Sequence, residues 1–211
     1  MESIDTKIST KQKIFDASIN LFSKNGYNGV SMREIAKEVG IKESSIYNHY
    51  KNKEEILSSL FNYLALMLTK YRPTEAAIEK MLDYMSIEDV FKHLIVSFGK
   101  SIDSTINSGT IDSIVRIVYT EQFRNERAKE LMLENLLAEP SRFISKVLKI
   151  MLSKNLIRDI DTDLVADEYN YALLAITFEY AHAVNSGEDP APAIRKMFKH
   201  VGFICEYIKP N

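Results

Sequence analysis

The sequence predicts an all-α protein, and its composition, its periodicity and its lack of strand patterns all point the same way. The chain of 211 residues contains seven glycines and five prolines, about half the usual share of these turn-forming residues. Apolar residues recur at intervals of three and four, which is the period of an amphipathic helix. No stretch alternates like a strand, and no internal repeat is present. We therefore expect an N-terminal three-helix domain, a long fourth helix and a C-terminal helical bundle that dimerises.

The first helix has local signals at both of its ends. Ser9 and Gln12 can form a capping box at its start, and Thr10 is the alternative cap. Gly26 ends the helix, because glycine adopts the left-handed conformation of a helix C-cap without strain.

The second and third helices form a predicted helix-turn-helix. Ser31 and Glu34 match the capping-box pattern, and Gly40 closes the short second helix. A third helical segment, over about 42–50, follows after a single linking residue. Two short helices joined by a tight glycine turn are the defining feature of this motif.

A long fourth helix is predicted to connect the two parts of the chain. Asn52 and Glu55 cap it, and its apolar stripe continues at helical spacing to Tyr71. Arg72 and Pro73 end it. We expect this helix to run without a break from the N-terminal domain into the C-terminal one.

Five or six further helices are expected beyond Pro73. Caps and apolar stripes predict helices that start at Ser86, after Gly109, over about 126–138, at Pro140, over about 163–185, and at Asp189 with Pro190. The cap of the helix over about 163–185 is either Asp161 or Thr162. We assign residues 54–211, which hold these helices, to a second domain.

Charge is unevenly divided between the two predicted domains. Residues 1–53 contain nine Lys and Arg against six Asp and Glu, a net charge of +3. Residues 54–211 contain 18 basic and 23 acidic residues, a net charge of −5. A basic N-terminal domain is a weak indication of a polyanionic partner such as a nucleic acid.

Several classes of protein are excluded by what the sequence lacks. Cys205 is the one cysteine, so neither a disulfide framework nor a cysteine-rich metal site is expected. No segment resembles a signal peptide, and no apolar run is long enough to span a membrane. We expect a cytoplasmic protein with no cofactor and no metal ion.

The N-terminal residues closely resemble the DNA-binding domain of the tetracycline-repressor (TetR/AcrR) family. The resemblance covers about residues 10–57 and rests on GYNGVSMREIAKEVG at 26–40 and SIYNHYKNKEEIL at 45–57. It implies an all-helical homodimer. The N-terminal domain, residues 1–53 with the start of helix four, would bind double-stranded operator DNA. Residues 54–211 would be a ligand-binding and dimerisation domain, which binds a small-molecule effector.

Segment 43–49 has the composition of a helix that enters the major groove of DNA. Six of its seven side chains are polar or can form hydrogen bonds, and only Ile46 clearly points inward. Such side chains can donate to and accept from base edges. The alternative is a solvated surface helix. The residues expected in the groove are Ser44, Ser45, Asn48 and His49.

Further DNA contacts follow from positions that match the family. Tyr47 and Lys53 match phosphate anchors, and Lys53 also lies in the first turn of helix four. Arg33 matches a position that can reach a base edge, although a solvated Arg33 is the alternative. Ser31 caps helix two and can also donate to a phosphate, and we favour capping alone.

Two positions depart from the family pattern. Many relatives carry Ser or Thr where Lys42 stands, and a lysine can reach a phosphate but cannot cap helix three. Glu43 is acidic where the helix faces DNA. It either accepts from a cytosine or interacts with the positive end of its own helix, and we favour the second. Tyr50 matches the aromatic residue that locks helix three onto the core.

The predicted helix over 163–185 indicates a dimer interface. Between Tyr171 and Val184 it is apolar nearly all round, so it must be buried on both sides. The apolar stripe of the last helix and its Gly202 add a second surface. Together they predict a homodimer formed through about 163–208. The alternative is deep burial inside one subunit.

The ligand-site candidates are charged or bulky residues of the C-terminal domain. Glu179 and His182 share one helix face and are either a buried pair or ligand contacts. Arg116 is either paired with a core carboxylate or an anchor for a ligand carboxylate. Large apolar residues either line a pocket or form plain core: Met67, Phe91, Phe98, Tyr119, Met132, Phe143 and Met151.

These observations predict a ligand-responsive transcriptional regulator, most often a repressor. A small apolar or amphipathic effector would release it from its operator. In the alternative, the C-terminal domain binds a protein partner. An enzyme is not expected, because the chain lacks a phosphate loop, a zinc-ligand pattern and a nucleophile elbow.

Overall fold

The computed structural model describes residues 8–70, 72–103 and 109–210, with side chains described up to residue 97 in the second range. The helices are α1 (Thr10–Asn25), α2 (Met32–Val39), α3 (Glu43–Ile46), α4 (Lys53–Lys70), α5 (Glu75–Tyr84), α6 (Ile87–Asp103), α7 (Thr110–Glu121), α8 (Glu126–Glu130), α9 (Glu139–Ser153), α10 (Thr162–Ser186) and α11 (Ala191–Ile208), with a π-helical segment at Leu131–Ala138. The prediction of an all-α fold is confirmed. None of these described helices is long and apolar enough to cross a membrane.

Most of the predicted helix starts are confirmed by hydrogen bonds at their caps. Ser9 accepts from the backbone N–H of Gln12 at 3.2 Å, so Ser9 and not Thr10 caps α1. The Gln12 amide donates to Asp16 at 2.9 Å. Asn52 accepts from the N–H of the third residue beyond it at 2.8 Å. Asp161 caps α10 in the same way, at 3.0 Å.

Two elements differ from the prediction near the middle of the chain. Helix α5 was missed, because only Ile78 and Leu82 of its ten residues are buried and its apolar stripe is therefore short. The N-cap Thr74, which accepts from the N–H of Ala77 at 3.2 Å, was the available signal. The helix predicted over 126–138 begins as α8 but continues as the π-helical segment.

The described helices pack as two compact units. The first unit contains the described residues of 1–67 and 105–132, where α1 packs on α2 and α7, and α2 packs on α3. The second unit contains those of 68–104 and 133–211, where α10 packs on α9 and α11, and α11 packs on α6. Helices α7 and α8 therefore pack with the helix-turn-helix. The functional division after residue 53 stays a prediction. 

Helix α10 is buried over only part of its length. Its first turns contribute Val165, Ala166 and Tyr169 to the core of the second unit. From Tyr171 to Val184 its residues are half-buried or exposed in the single chain. Deep burial of this stretch inside one subunit, the alternative to a dimer interface, is therefore wrong. 

Candidate nucleic-acid interface

The start of α2 is held by a complete capping box. The Ser31 hydroxyl accepts from the N–H of Glu34 at 3.2 Å, and the Glu34 carboxylate accepts from the N–H of Ser31 at 2.7 Å. The Ser31 hydroxyl also donates to that carboxylate at 2.7 Å. These hydrogen bonds from Ser31 hold the pKa of Glu34 below its ordinary value. The predicted box is confirmed, and it engages the Ser31 hydroxyl.

The turn between α2 and α3 depends on Gly40. Its backbone is left-handed, with φ of 76° and ψ of 33°, a conformation that is strained for residues with a Cβ atom. The N–H of Gly40 donates to the carbonyl of Lys37 at 3.2 Å, and the N–H of Ile41 donates to that of Ala36 at 3.0 Å. These bonds end α2 and set the direction in which the chain enters α3.

The third helix is shorter than the predicted segment over 42–50. Regular α-helix ends at Ile46, because the N–H of His49 donates to the Ile46 carbonyl at 2.8 Å in a tighter turn. Ile46 and Tyr50 are 0% and 3% exposed, so they seat the segment on the core. Burial raises the pKa of the Tyr50 phenol. The predicted structural role of Tyr50 agrees with this placement.

The candidate DNA-contacting side chains differ in how far they are exposed to solvent. Ser45 and His49 are half-buried, which limits their reach. The exposed candidates are Ser31, Arg33, Lys42, Glu43, Ser44, Tyr47 and Asn48. Lys42 makes no side-chain cap to α3, as expected for a lysine. Their contacts with DNA stay predictions. 

Lys53 has a structural role that its sequence position does not reveal. Its ammonium donates to the carbonyls of Tyr27 and Val30 at 2.8 and 2.7 Å. It also lies 4.2 Å from the centre of the Tyr27 ring, a cation–π distance. An ammonium has three donors, and the two carbonyls take two of them. Lys53 thus ties α4 to the turn between α1 and α2. 

Tyr27 is the residue at this site that sequence reasoning missed. Its hydroxyl donates to Glu54 at 2.8 Å, and its N–H donates to Glu121 of α7 at 3.3 Å. Burial and the hydrogen bond with Glu54 raise the pKa of the Tyr27 phenol well above its ordinary value. No short motif predicts these contacts, because the partners are far apart in sequence.

The predicted ligand-site residues are divided between the two units. Met67 and Met132 lie in the first unit, buried and half-buried, and Tyr119 and Arg116 are exposed there. In the second unit, Phe91 and Met151 are 0% exposed members of the core, and Phe143 packs against that core half-buried. The side chain of Phe98 lies outside the described residues.

The burial expected for the charged candidates is not observed. Arg116 is exposed, because the inward stripe of α7 runs on either side of it and includes Ile114 and Ile117. Glu179 and His182 are both exposed, and Glu179 pairs with Lys196 of α11 at 2.5 Å. A long lysine side chain on the neighbouring helix reaches the carboxylate. Their roles toward a ligand stay predictions. 

Two surface clefts lie between α5 and α9 in the second unit. One, of about 210 Å³, is lined by Ile78, Phe143 and Val147 together with polar residues. The other, of about 250 Å³, is lined by Glu75, Lys146, Lys149, Ile150 and Ser153. Both are open to solvent. Phe143 is the predicted ligand residue that lines the first of them. 

A short α2, a glycine turn and a polar α3 seated by two buried side chains define a helix-turn-helix DNA-binding protein. The family model described as "Bacterial regulatory proteins, tetR family" matches residues 14–60, from α1 into α4. The biofilm operon icaADBC HTH-type negative transcriptional regulator IcaR of Staphylococcus epidermidis is 38% identical over 79 residues, 36% of this chain and 43% of IcaR. This chain thus matches less than half the length of that relative.

Other known proteins are similar over most of the chain. The transposon Tn10 TetC protein of Escherichia coli is 23% identical over 180 residues, 85% of this chain and 83% of TetC. A TetR-family structure from Mesorhizobium loti covers 99% of this chain and 100% of its own, with a TM-score of 0.66 at 16% identity. A regulator from Saccharomonospora viridis in complex with choline covers 95% and 98%, with a TM-score of 0.65 at 19% identity. At these identities the structures show a shared fold.

Residues 14–60 therefore match the DNA-binding domain of the TetR family, and the chain shares its fold with TetR-family regulators. Regulators of this family bind operator DNA, act as dimers and are not enzymes. The family match and the relatives agree with the prediction of a transcriptional regulator.

Proposed function

We propose that this protein is a sequence-specific transcriptional repressor that binds duplex operator DNA as a homodimer in the cytoplasm. A small apolar or amphipathic effector, bound by the C-terminal domain, would release it. The observation that carries the proposal is the segment 43–49, in which Ile46 and the following Tyr50 are buried in the core. Its exposed side chains are Glu43, Ser44, Tyr47 and Asn48. A helix presented in this way fits the major groove.

Base recognition falls to the exposed groove residues of α3 and its following turn. Ser44 and Asn48 can both donate to and accept from base edges, and Arg33 of α2 can bond to a guanine. Glu43 is exposed in the first turn of α3, where its charge favours the positive helix end. These roles would set sequence preference and not overall affinity.

Phosphate contacts would place the protein on the duplex. Tyr47 is 51% exposed beside the groove residues, and Lys42 is exposed at the N-cap of α3. Lys53 would use the donor that its two carbonyl partners leave available. Such contacts supply affinity for any sequence and make it depend on salt.

The proposed dimer uses the exposed apolar residues of α10 and α11. Tyr171 and Val184 of α10 are 50% and 44% exposed, and Phe203 and Tyr207 of α11 are 67% and 46% exposed. Exposed apolar residues on two neighbouring helices fit a four-helix interface with a second copy. A dimer would present two recognition helices about 34–36 Å apart, the spacing of successive major grooves.

Effector binding is proposed on the family fold and on relatives that hold small molecules. A regulator of this fold was solved with choline, and SmeT was solved with triclosan, at a TM-score of 0.64 and 14% identity over 96% of this chain and 92% of SmeT. Choline and triclosan are therefore the first compounds to test for a rise in the thermal midpoint. A ligand that binds the folded state must raise it.

Helix α4 is the proposed lever between effector and DNA. It is one helix from Lys53 to Lys70, while Tyr71, its predicted last residue, lies outside the described residues. Ser58→Gly with Ser59→Gly would soften it at a cost of roughly 1 kcal/mol in helix propensity. The double variant should keep effector affinity but lose much of the effector's influence on DNA affinity. An equal influence in both proteins would contradict the lever.

DNA binding is tested by selecting a preferred duplex from a random-sequence library with the wild-type protein. Tyr47→Ala and Lys53→Ala should weaken binding to selected and random duplexes alike, and Lys53→Ala should lower the salt slope by about one per site. Asn48→Ala should change the selected sequence. Lys80→Ala, at an exposed lysine of α5, is the control and should change neither.

Each result has a distinct meaning. A loss of affinity in Lys53→Ala with an unchanged salt slope would assign Lys53 to the turn and not to a phosphate. A wild-type protein that selects no sequence would contradict the proposed function.

A further inference from the structure

Glu121 is a buried carboxylate at the end of α7. It lies at the C-terminal end of α7 and is 4% exposed, and it is the one buried acidic residue in the described part of the chain. A carboxylate that leaves water needs hydrogen-bond partners to offset the lost hydration. Its partner therefore indicates why it is buried.

The Glu121 carboxylate is directed at the turn between α1 and α2. Its Oε1 accepts from the backbone N–H of Tyr27 at 3.3 Å, across 94 positions of sequence. A Cβ atom built at the adjacent Gly26 would lie 4.0 Å from the same oxygen, which is an ordinary contact distance, so the carboxylate lies beside this backbone. The carboxylate therefore reaches the backbone of the turn directly.

Helix α4 holds the same turn from a second element. Lys53 bonds to the carbonyls of Tyr27 and Val30, and Glu54 accepts from the Tyr27 hydroxyl. Asn125, just beyond α7, donates to the second oxygen of Glu54 at 3.4 Å. The backbone of the turn is thus fixed at its N–H by α7 and at its carbonyls by α4.

The turn leads straight into the helix-turn-helix. Val30, whose carbonyl Lys53 holds, is followed by Ser31, the N-cap of α2. The position of α2 sets the position of the glycine turn and of α3 behind it. A displacement of the turn by a fraction of an ångström therefore moves every groove residue, and direct readout of bases depends on that alignment.

We propose that Glu121 is a positioning residue for DNA recognition, which aligns α2 and α3 through the backbone of Tyr27. The proposal rests on the proposed function and adds to it a regulatory route. Any rearrangement that shifts α7 changes the alignment of the recognition segment, independently of the bend of α4.

The test compares Glu121→Leu, Glu121→Asp and Glu121→Gln with the wild-type protein on two duplexes. One duplex carries the sequence that the wild type selects, and the other is a random sequence of equal length. Glu126→Leu is the matched control, because Glu126 is a glutamate of the same unit whose side chain is 86% exposed. Circular dichroism and light scattering report fold and assembly.

Glu121→Leu removes the acceptor, and Glu121→Asp keeps the charge but withdraws it by one methylene. Both should lower affinity for the selected duplex about tenfold and affinity for the random duplex much less. Glu121→Gln keeps an acceptor oxygen in place and should retain the wild-type ratio of the two affinities. Glu126→Leu should also retain it.

The ratio of affinities separates positioning from mere stability. A variant that is partly unfolded binds both duplexes more weakly by the same factor, since only its active concentration falls. If Glu121→Leu fails to fold, the comparison of Glu121→Asp with Glu121→Gln tests the proposal instead. This proposal alone is overturned if Glu121→Leu and Glu121→Asp keep the wild-type ratio of affinities for the two duplexes. It is also overturned if Glu121→Gln lowers that ratio as much as they do. A wild type that selects no sequence overturns the proposed function and this proposal with it.

Discussion

The recognition segment, residues 43–49, differs in chemistry from the exposed apolar residues of α10 and α11. We call these residues, Tyr171, Val184, Phe203 and Tyr207, the α10–α11 surface. The recognition segment presents polar side chains above two buried ones, Ile46 and Tyr50. The α10–α11 surface presents aromatic and aliphatic side chains such as Tyr171 and Phe203. A polar surface of this kind suits bases and phosphates, whereas an apolar one suits a second protein surface. The two surfaces therefore indicate two kinds of partner.

The two regions are also held in different ways. The recognition segment depends on a capping box, a left-handed glycine and hydrogen bonds to its preceding turn. The α10–α11 surface rests on a packed apolar core that includes Tyr169 and Val201. Removal of a single hydrogen-bonding group at the recognition segment should therefore have a large local effect. The α10–α11 surface should respond mainly to substitutions of its exposed residues.

The largest effect is expected on assembly. Ala175 is exposed in the middle of α10, so Ala175→Arg places a charge in the proposed dimer interface. A buried, unpaired charge is strongly unfavourable, and the variant should be a monomer or aggregate at micromolar concentration. Light scattering measures this. Glu79→Arg, at an exposed site of α5, is the control. A wild-type monomer at that concentration would contradict the dimer.

The second prediction concerns the close approach of Gly29 to the backbone of Asn25 in the turn before α2. A Cβ atom at Gly29 would lie 2.5 Å from the carbonyl oxygen of Asn25, so the backbone would have to shift. Gly29→Ala should lower the free energy of unfolding by about 1–3 kcal/mol, as measured by urea denaturation. At Gly109 a Cβ atom meets nothing within 4 Å, so Gly109→Ala is the control. Equal stabilities of the two variants would contradict the close approach.

The third prediction concerns the cap of α2. Ser31→Ala removes the hydroxyl that bonds to the Glu34 N–H and should cost about 1 kcal/mol of stability at pH 7. The Glu34 pKa is depressed in the folded protein, so its share of this stability is present above the ordinary glutamate pKa and is lost as the pH falls through the depressed value. The Ser31 hydroxyl also donates to this carboxylate, so the difference between the melts of the two proteins should narrow in acid, while the part due to the Glu34 N–H bond remains. A difference that does not change with pH would contradict the bond from the hydroxyl to the carboxylate.

The smallest expected effect lies in the core beneath the apolar surface. Burial lowers the pKa of His200, although the Tyr169 carbonyl, 3.2 Å from its Nε2, and the charge of Glu168 oppose the shift. The unfolded chain therefore binds the proton more readily, and stability should fall as the pH drops below about 6.5. His200→Gln should weaken that dependence in melts between pH 5 and 8. His93→Gln, at an exposed position of α6, should not.

Contacts between neighbours in sequence were predictable. The caps at Ser9, Ser31, Asn52 and Asp161 join residues three apart, so the pattern of side chains is enough to locate them. The same holds for the turn at Gly40, where only the local backbone conformation matters. The fold class, the helix-turn-helix and the family followed from such signals.

Contacts between distant residues were decided by the tertiary structure. Tyr27 meets Lys53 at a separation of 26 positions and Glu121 at 94, and Glu179 meets Lys196 at 17. The burial of a charged residue on a long helix also depends on which neighbours cover it, as exposed Arg116 and buried Glu121 of the same α7 show. Local pattern restricts a side chain to a helix face, and only packing determines what that face meets.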